Sequence, residues 1–335
     1  MTVLVTGGSG LLGSHVIEAL RARGEGVRAL ARDRACDAVR ALGAEPVPGD
    51  VTDPAAWTRA ATGARAIVHA AALVTQRLPL EQYVDVNVGG TRLAAQTARR
   101  GGLRLVHVSS VAVYGRAAAP AAARAVDEDF PLQPLPDADF YARSKRMSET
   151  VLREAAGRGD LTAVAIRPNV IYGERDRLFT PKLLRFVRLG VVPLVGRGAN
   201  HLSCVYAGNV AAAVVAALDA PVTGFRAYNV TRDAPPELTQ REFLAAFGAA
   251  LGTRVRALRI PVAAARLGVT AWTGWQRLLD SRGYAGVGRA AVAFMTDDNP
   301  YAADRAAREL GWDAAFDARA AIERTVRWFV KRRGA

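Results

Sequence analysis

Cysteine and long apolar runs are scarce in this chain of 335 residues. The only two cysteines, Cys36 and Cys204, lie far apart and without metal-ligand spacing, so we expect two small buried side chains in a reducing compartment, no disulfide and no metal site. No apolar run reaches the ~18 residues of a transmembrane helix. The first predicted strand begins at residue 2, which leaves no room for a signal peptide. We therefore expect a soluble, cytoplasmic protein.

Acidic residues are outnumbered by basic ones, and the formal net charge is +14. Such a charge can attract nucleic acids or membranes. Arginine is spread along the whole chain, however, and lysine occurs only at Lys145, Lys182 and Lys331. The one local basic cluster, Arg327 to Arg333, fits the last turn of an amphipathic helix that begins near Asp317, where the helix dipole favours cations. This distribution argues against a nucleic-acid partner.

Short apolar runs alternate with helix-like segments in the first half of the chain, and half of all residues are hydrophobic. This alternation is typical of a parallel sheet wrapped by helices. We predict an α/β fold with a doubly wound parallel sheet. The predicted strands are Val3–Val5, Val27–Ala31, Glu45–Val47, Ala66–His69, Leu103–Val108, Ala163–Arg167 and Tyr228–Val230.

The alternation of short apolar runs and helix-like segments changes after about residue 174, which predicts a smaller second lobe. An alanine-rich helix capped by Asn209 is predicted from Val210, and Thr239 to Glu242 form a capping box for a helix that ends at Gly252. Residues 116–125 are of low complexity and predict an irregular surface loop. We predict a dinucleotide-binding domain of residues 1–174 plus about 205–232, and a discontinuous substrate-binding lobe of about 175–204 plus 233–335.

The segment TGGSGLLG, Thr6 to Gly13, directly follows the first predicted strand. Gly7 would supply a tight turn, Gly10 would let the backbone approach a pyrophosphate, and Gly13 would let the helix and strand pack closely. A plain glycine turn between two core elements is the alternative. Apolar residues then recur at helical spacing up to Gly24, a C-cap signal, so strand, turn and helix follow in the order of a Rossmann dinucleotide site.

The segment YARSK places Tyr141 and Lys145 on one helical face, about 6 Å apart along the axis. A nearby ammonium lowers the pKa of a phenol toward the range where it serves as an acid–base group. A chance surface pair is the alternative, but lysine is nearly absent from this chain. Upstream, Ser110 follows a predicted strand and is our candidate to hold a substrate oxygen, with Ser109 as runner-up. The alternative for Ser110 is a serine at the end of a strand that only hydrogen-bonds to the nearby backbone.

The segments TGGSGLLG, GDVTD, HAAA, VNVGGT, SSVAVYG, YARSK and RPNVIYG stand in the order and approximate spacing of the extended short-chain dehydrogenase/reductases. The chain resembles this family over most of its length. The resemblance implies that Tyr141 is the catalytic acid–base, that Lys145 binds the nicotinamide ribose and tunes Tyr141, and that Ser110 orients the reacting oxygen.

The resemblance also implies which residues bind the cofactor. Asp50 and Val51 would contact the adenine, and Asn87 either contacts the cofactor or only makes structural hydrogen bonds. The other implied cofactor-binding residues are Gly7, Gly8, Ser9, Gly10, Leu11, Leu12, Gly13, Ala70, Ala71, Ala72, Lys145, Pro168 and Val170.

The end of the second predicted strand bears on the choice of cofactor. Arg32 stands where family members that use NAD usually carry an acid for the ribose 2′-hydroxyl. An arginine can pair with a 2′-phosphate instead, and Arg34 could assist it, although Asp33 could still turn inward. We predict NADP(H) over NAD(H).

Two segments bear on the substrate. In nucleotide-sugar epimerases and dehydratases an arginine grips the nucleotide diphosphate, and Leu202 stands at the matching position. The chain is more similar to the 3β-hydroxysteroid dehydrogenase and dihydroflavonol reductase branch, including 2-alkyl-3-oxoalkanoate reductases. Residues 260–279, with Trp272 and Trp275, could cover an apolar substrate or rest on a membrane surface, although packing on their own lobe is the commoner explanation.

We predict an NADP-dependent oxidoreductase that interconverts a ketone and a secondary alcohol on a lipophilic small molecule. A nucleotide-sugar 4-epimerase or dehydratase is the first alternative, and a non-catalytic NADP-binding sensor is the second. A sensor has no need of the acid–base group, so Tyr141, Lys145 and Ser110 weigh against it. We also expect a homodimer.

Overall fold

The computed structural model describes residues 1–74, 78–115, 125–279 and 287–332, with the backbone alone for 272–279 and 287–291. The strands are β1 Thr2–Thr6, β2 Gly26–Ala31, β3 Glu45–Pro48, β4 Ala64–His69, β5 Arg104–Val108, β6 Ala163–Pro168, β7 Val170–Tyr172, β8 Val191–Val195, β9 Cys204–Tyr206, β10 Phe225–Val230 and β11 Arg256–Ile260. Seven of them form one parallel sheet in the order β10-β6-β5-β4-β1-β2-β3. All seven predicted strands are confirmed, with ends shifted by at most three residues.

Helices connect the strands and cover the sheet. They are α1 Leu11–Ala22, α2 Asp33–Arg40, α3 Pro54–Ala61, α4 Leu80–Tyr83, α5 Gly90–Gly101, α6 Phe140–Ala156, α7 Thr180–Arg188, α8 Ala207–Asp219, α9 Gln240–Ala250, α10 Val262–Leu279, α11 Val287–Thr296, α12 Asp304–Leu310 and α13 Ala318–Lys331. A π-helical segment, Val84–Gly89, precedes α5, and a 3₁₀ turn, Val111–Tyr114, follows β5. None of the helices within the described ranges combines the length and apolar character needed to cross a membrane.

The main sheet is buried on both faces, as the predicted doubly wound fold requires. Side chains alternate along a strand, so Val3 and Val5 of β1 join the core formed with α1, α2, α8 and α12, whereas Leu4 joins the opposite core with α3, α5 and α6. Cys36 lies in the first of these cores and Cys204 in the core of the second lobe; both are free and buried, as predicted.

A separate core holds the C-terminal lobe together. It is formed by α7, α9 and α13 with the short pairs β7–β9 and β8–β11, and its centre contains Tyr172, Phe243 and Phe247. Helix α12 packs into the core of the main sheet. The predicted domain division, which assigns residues 233–335 to the lobe, stays a prediction.

Two local predictions in the C-terminal half have different outcomes. The capping box at Thr239 and Glu242 is confirmed at the start of α9. The predicted cap at Asn209 is wrong, because α8 begins at Ala207 and Asn209 lies buried in its first turn. Its Nδ2 donates to Asp233 instead, a contact that the local sequence pattern does not reveal. Most of the predicted surface loop, residues 116–124, lies outside the described residues.

Candidate active site

The glycine segment forms a tight turn between β1 and α1. Gly7 has a φ of +71°, and a Cβ at Gly13 would lie 2.2 Å from the Gly7 carbonyl oxygen. Both predicted backbone roles, the turn and the close packing, are confirmed. Gly10 precedes α1, and in the described residues no side chain caps this helix. Its first N–H groups are therefore free to bind an anion.

A cavity of about 460 Å³ opens in front of this turn, at the carboxyl ends of β1, β4, β5 and β6. Parallel strands bring their carboxyl ends to one edge, which explains how residues far apart in sequence meet there. The predicted site residues that line the cavity are Gly7, Gly10, Leu11, Leu12, Gly13, Ala70, Ala72, Ser110, Tyr141, Lys145, Pro168 and Val170. The other lining side chains include the apolar Val74, Leu178 and Phe179 and the charged Arg175, Asp176 and Arg177.

The remaining predicted cofactor residues lie around this cavity rather than in it. Gly8 faces the core, since a Cβ there would lie 2.7 Å from Ile17. Ser9 lines a neighbouring groove, Val51 is buried, and the Ala71 N–H donates to Thr6.

Arg32 and Asp50 line a second pocket, of about 370 Å³, at the ends of β2 and β3. Asp33 lines the same pocket, and both Arg32 and Asp33 are exposed. The cation and the acid are therefore both available at the place where the ribose of a dinucleotide is expected.

Helix α6 carries Tyr141 and Lys145 on one face. The Lys145 Nζ lies 6.0 Å from the centroid of the Tyr141 ring and donates to the Val108 carbonyl at 2.6 Å. Burial lowers the pKa of Lys145 to about 8. Burial raises the pKa of Tyr141 to about 12, and the Ser110 side chain opposes this only in part. The predicted lowering of the Tyr141 pKa is thus not seen, and the phenol holds its proton at neutral pH.

The two candidate serines differ in their surroundings. Ser109 is buried, and its Oγ donates to Glu149 at 2.5 Å. Ser110 is half-buried, lines the cavity, and its Oγ accepts from the Ala112 N–H at 3.2 Å. The hydroxyl of Ser110 therefore remains able to donate to an oxygen in the cavity.

Sequence reasoning missed a buried polar network behind this site. Glu149 and Arg167 form an ion pair at 2.6 Å with both side chains at most 4% exposed, and Arg167 also donates to the Tyr114 hydroxyl at 2.8 Å. Glu149 follows Lys145 by four residues and raises its pKa, against the larger effect of burial. The spacing of Tyr141, Lys145 and Glu149, each four residues after the last, is the signal that could have revealed this carboxylate.

Asn87 uses its side-chain amide for structural contacts. Its Oδ1 accepts from the Leu73 N–H at 2.7 Å, and its Nδ2 donates to the Ser144 Oγ at 2.9 Å and to the Leu73 carbonyl at 3.1 Å. These bonds tie the segment after β4 to α6. They favour the structural alternative for Asn87.

Leu202 and the three arginines of this region that could take over a diphosphate contact lie in different surroundings. Leu202 is buried in the core of the C-terminal lobe, and Arg197 is exposed. Arg175 lines the cavity but is engaged by Ser14 and Glu18, with donor–acceptor distances of 2.7 and 2.6 Å. Arg177 is exposed and also lines the cavity. Among the described residues, no group of three or more His, Cys, Asp or Glu side chains could hold a metal ion.

Comparison with known proteins agrees with this geometry. The profile of the NAD dependent epimerase/dehydratase family matches residues 3–231. The chain is 34% identical over 320 residues to the 4-hydroxy-2-methyl-3-oxo-4-farnesyl-3,4-dihydroquinoline-1-oxide ketoreductase of Stigmatella aurantiaca, covering 93% of this chain and 92% of that relative. It is 31% identical to the 2-alkyl-3-oxoalkanoate reductase of Stenotrophomonas maltophilia, covering 93% and 94%.

Solved structures show the same fold. The UDP-glucose 4-epimerase of Thermotoga maritima with UDP-glucose superposes with a TM-score of 0.74 at 18% identity, covering 99% of each chain. At this identity the similarity concerns the fold alone.

Proposed function

The chain belongs to the NAD-dependent epimerase/dehydratase family, and we propose that it uses NADPH to reduce a ketone on a lipophilic substrate to a secondary alcohol. It is an NAD(P)-dependent oxidoreductase, and the proposal adds the cofactor preference, the residue roles and the substrate class. One observation carries it. Tyr141, Lys145 and Ser110 meet in a cavity whose lining includes several apolar side chains.

The residues present fit a dinucleotide. The turn at Gly7 and Gly13 leaves no room for a Cβ, and the first turn of α1, with no side-chain cap, opens onto the cavity where a pyrophosphate can approach. Lys145 would bind the nicotinamide ribose. When bound, NADPH would supply a hydride to the carbonyl carbon.

The side chains of the site would supply the proton and bind the carbonyl oxygen of the substrate. Ser110 donates a hydrogen bond to the carbonyl oxygen, and Tyr141 transfers its phenolic proton to that oxygen, so that the products are a secondary alcohol and NADP⁺. A pKa of about 12 keeps Tyr141 protonated before the reaction. Lys145, with a pKa of about 8, is largely cationic at neutral pH and stabilises the resulting phenolate.

Three observations support an apolar substrate. Val74 and Leu178 in the cavity lining are exposed, and removing hydrocarbon from water there gains about 25 cal/mol per Å². Leu202 supplies no cation for a diphosphate, whose burial without a paired cation is costly. The two relatives are named for a farnesylated quinoline oxide and a 2-alkyl-3-oxoalkanoate.

A substrate panel tests the proposal. We expect long-chain β-keto acids or steroid ketones to drive NADPH oxidation, and UDP- and TDP-sugars to leave NADPH unchanged. Thermal unfolding with UDP or TDP provides an independent measurement. The nucleotide-sugar alternative, which the exposed Arg177 in the cavity favours, replaces our proposal if these nucleotides protect the protein while the ketones neither protect it nor react.

The cofactor preference is tested by Arg32→Asp. We expect NADPH to bind at least about tenfold more weakly and NADH to be relatively favoured, because a carboxylate repels the 2′-phosphate and accepts from a 2′-hydroxyl. Titration of both cofactors measures this change. Arg92→Asp, at an exposed position on α5, makes the same charge change outside the predicted cofactor site and should leave both affinities unaltered. Tighter binding of NADH than NADPH by the unaltered protein contradicts the proposal.

A further inference from the structure

One face of the C-terminal lobe exposes large apolar side chains. Together we call them the lobe face: Phe186, 46% exposed, Leu189, 71%, Val191, 43%, Leu258, 59%, and Leu267, 70%. Single exposed apolar residues are common on protein surfaces, whereas a contiguous group marks an interaction site.

Backbone pairing shows that most of this face is contiguous. Leu189 and Gly190 connect the end of α7 to Val191 of β8, and the Arg256 N–H donates to the Gly190 carbonyl at 2.8 Å. In β8 and β11, Val191 pairs with Arg256, and Pro193 with Leu258.

Side chains of directly paired residues project from the same face of a sheet. Val191, two residues from Pro193 along β8, therefore shares its outer face with Leu258, whereas Val192 and Leu194 point into the core of the lobe. Val191 and Leu258 are thus exposed on the outer face of this strand pair, whose inner face packs on the core of the lobe.

The chain segments that carry the lobe face contain charges of one sign. Residues 177–218 and 243–279 contain no Asp or Glu but five cations each, namely Arg177, Lys182, Arg185, Arg188 and Arg197, and Arg254, Arg256, Arg259, Arg266 and Arg277. Arg254, Arg256 and Arg259 flank Leu258 along the chain and are exposed. Within the described ranges no ion pair engages these three arginines.

We propose that the lobe face docks onto a membrane surface that contains anionic lipids. Apolar side chains enter the boundary between headgroups and acyl chains, and the surrounding arginines pair with lipid phosphates. Neither feature alone specifies a membrane, but cations surrounding exposed hydrocarbon complement both layers of an anionic leaflet. Helix α10, which carries Arg266 and Leu267, follows β11 directly in the chain and is exposed over most of its first ten residues.

Docking would place the cavity near the lipid. Leu178 and Phe179 line the cavity, and α7 runs from the next residue toward Leu189 over nine residues, about 14 Å. A lipophilic ketone dissolved in the bilayer would then reach Tyr141 without crossing much water. The docking itself does not depend on the proposed reaction.

Sedimentation of the whole chain with vesicles tests the proposal. We expect vesicles of phosphatidylcholine with about 30% phosphatidylglycerol to bind at least about tenfold more protein than pure phosphatidylcholine vesicles. Binding should fall as salt rises from about 0.1 M to about 1 M, because the Debye length shrinks from about 10 Å to about 3 Å. Equal binding to both kinds of vesicle, or to neither, overturns the proposal.

Matched variants locate the binding surface. Arg254→Glu/Arg256→Glu should lower vesicle binding at least about tenfold, and Leu189→Ser/Leu258→Ser should also lower it. Arg226→Glu/Arg308→Glu makes the same charge change at exposed positions of β10 and of α12, which packs on the main sheet, and should bind as the unaltered protein does. Thermal unfolding confirms that each variant is folded.

Three outcomes would overturn the docking surface. One is an equal loss of binding in the control, which indicates attraction by net charge alone. Another is unchanged binding in both lobe-face variants. The third is binding of polyglutamate that Arg254→Glu/Arg256→Glu weakens while vesicles do not bind, which assigns the face to an acidic polymer. NADPH oxidation with a water-soluble ketone tests the proposed reaction separately. The experiments can therefore refute the membrane docking or the ketone reduction independently of each other.

Discussion

Tyr141→Phe is expected to lower turnover in ketone reduction by about two to four orders of magnitude. The substitution removes the proton that the developing alkoxide must receive and keeps the ring that packs beside Lys145. Because the glycine turn and Lys145 are unchanged, NADPH should bind with nearly the same affinity. Steady-state NADPH oxidation and a direct NADPH titration measure the two quantities.

Tyr83→Phe is the matched control for this prediction. Tyr83 is a buried tyrosine near the start of α6, and its hydroxyl has no hydrogen-bond partner among the described residues. Loss of that hydroxyl should leave turnover within about twofold of the unaltered protein. Retention of most activity by Tyr141→Phe, or an equal loss in both variants, would refute the role of Tyr141 as proton donor.

Glu149→Gln is expected to destabilise the protein by about 3 kcal/mol, because it leaves the buried Arg167 guanidinium without a countercharge. Denaturant unfolding measures the loss. Glu154→Gln, at an exposed position of the same helix, makes the same chemical change and should alter the free energy of unfolding by less than about 0.5 kcal/mol. Replacing both partners, in Glu149→Leu/Arg167→Met, should recover most of the stability, since neither member of the ion pair is then buried without the other.

The pH profile separates a positioning role of Glu149 from a purely structural one. The Lys145 ammonium is charged below its pKa of about 8, and Glu149 acts to raise that pKa. Without the carboxylate, Lys145 should lose its proton at lower pH, so the alkaline fall in the rate of NADPH oxidation should shift downward. An unchanged pH profile in Glu149→Gln, with activity otherwise intact, would refute this role.

Local features of the site could be predicted because they depend on residues close together in sequence. The glycine turn requires a positive φ at position 7 and close packing at position 13. Glycine is the residue that permits both, so Gly7 and Gly13 could be recognised from the sequence. The strands follow from short apolar runs, and the meeting of Tyr141 with Lys145 follows from helical spacing. The predicted cap at Asn209 was wrong because α8 begins two residues earlier, at Ala207. The Asn209 side chain instead donates to Asp233 and to the Phe316 carbonyl.

The sequence by itself determined the family, the parallel sheet and the pairing of Tyr141 with Lys145. Only the tertiary structure decided that Ser109 is bound to Glu149, and that the Tyr141 pKa is raised rather than lowered. The physical reason is the same in both cases. Desolvation and buried ion pairing depend on which elements pack together, and the ends of separate strands meet only when the sheet forms.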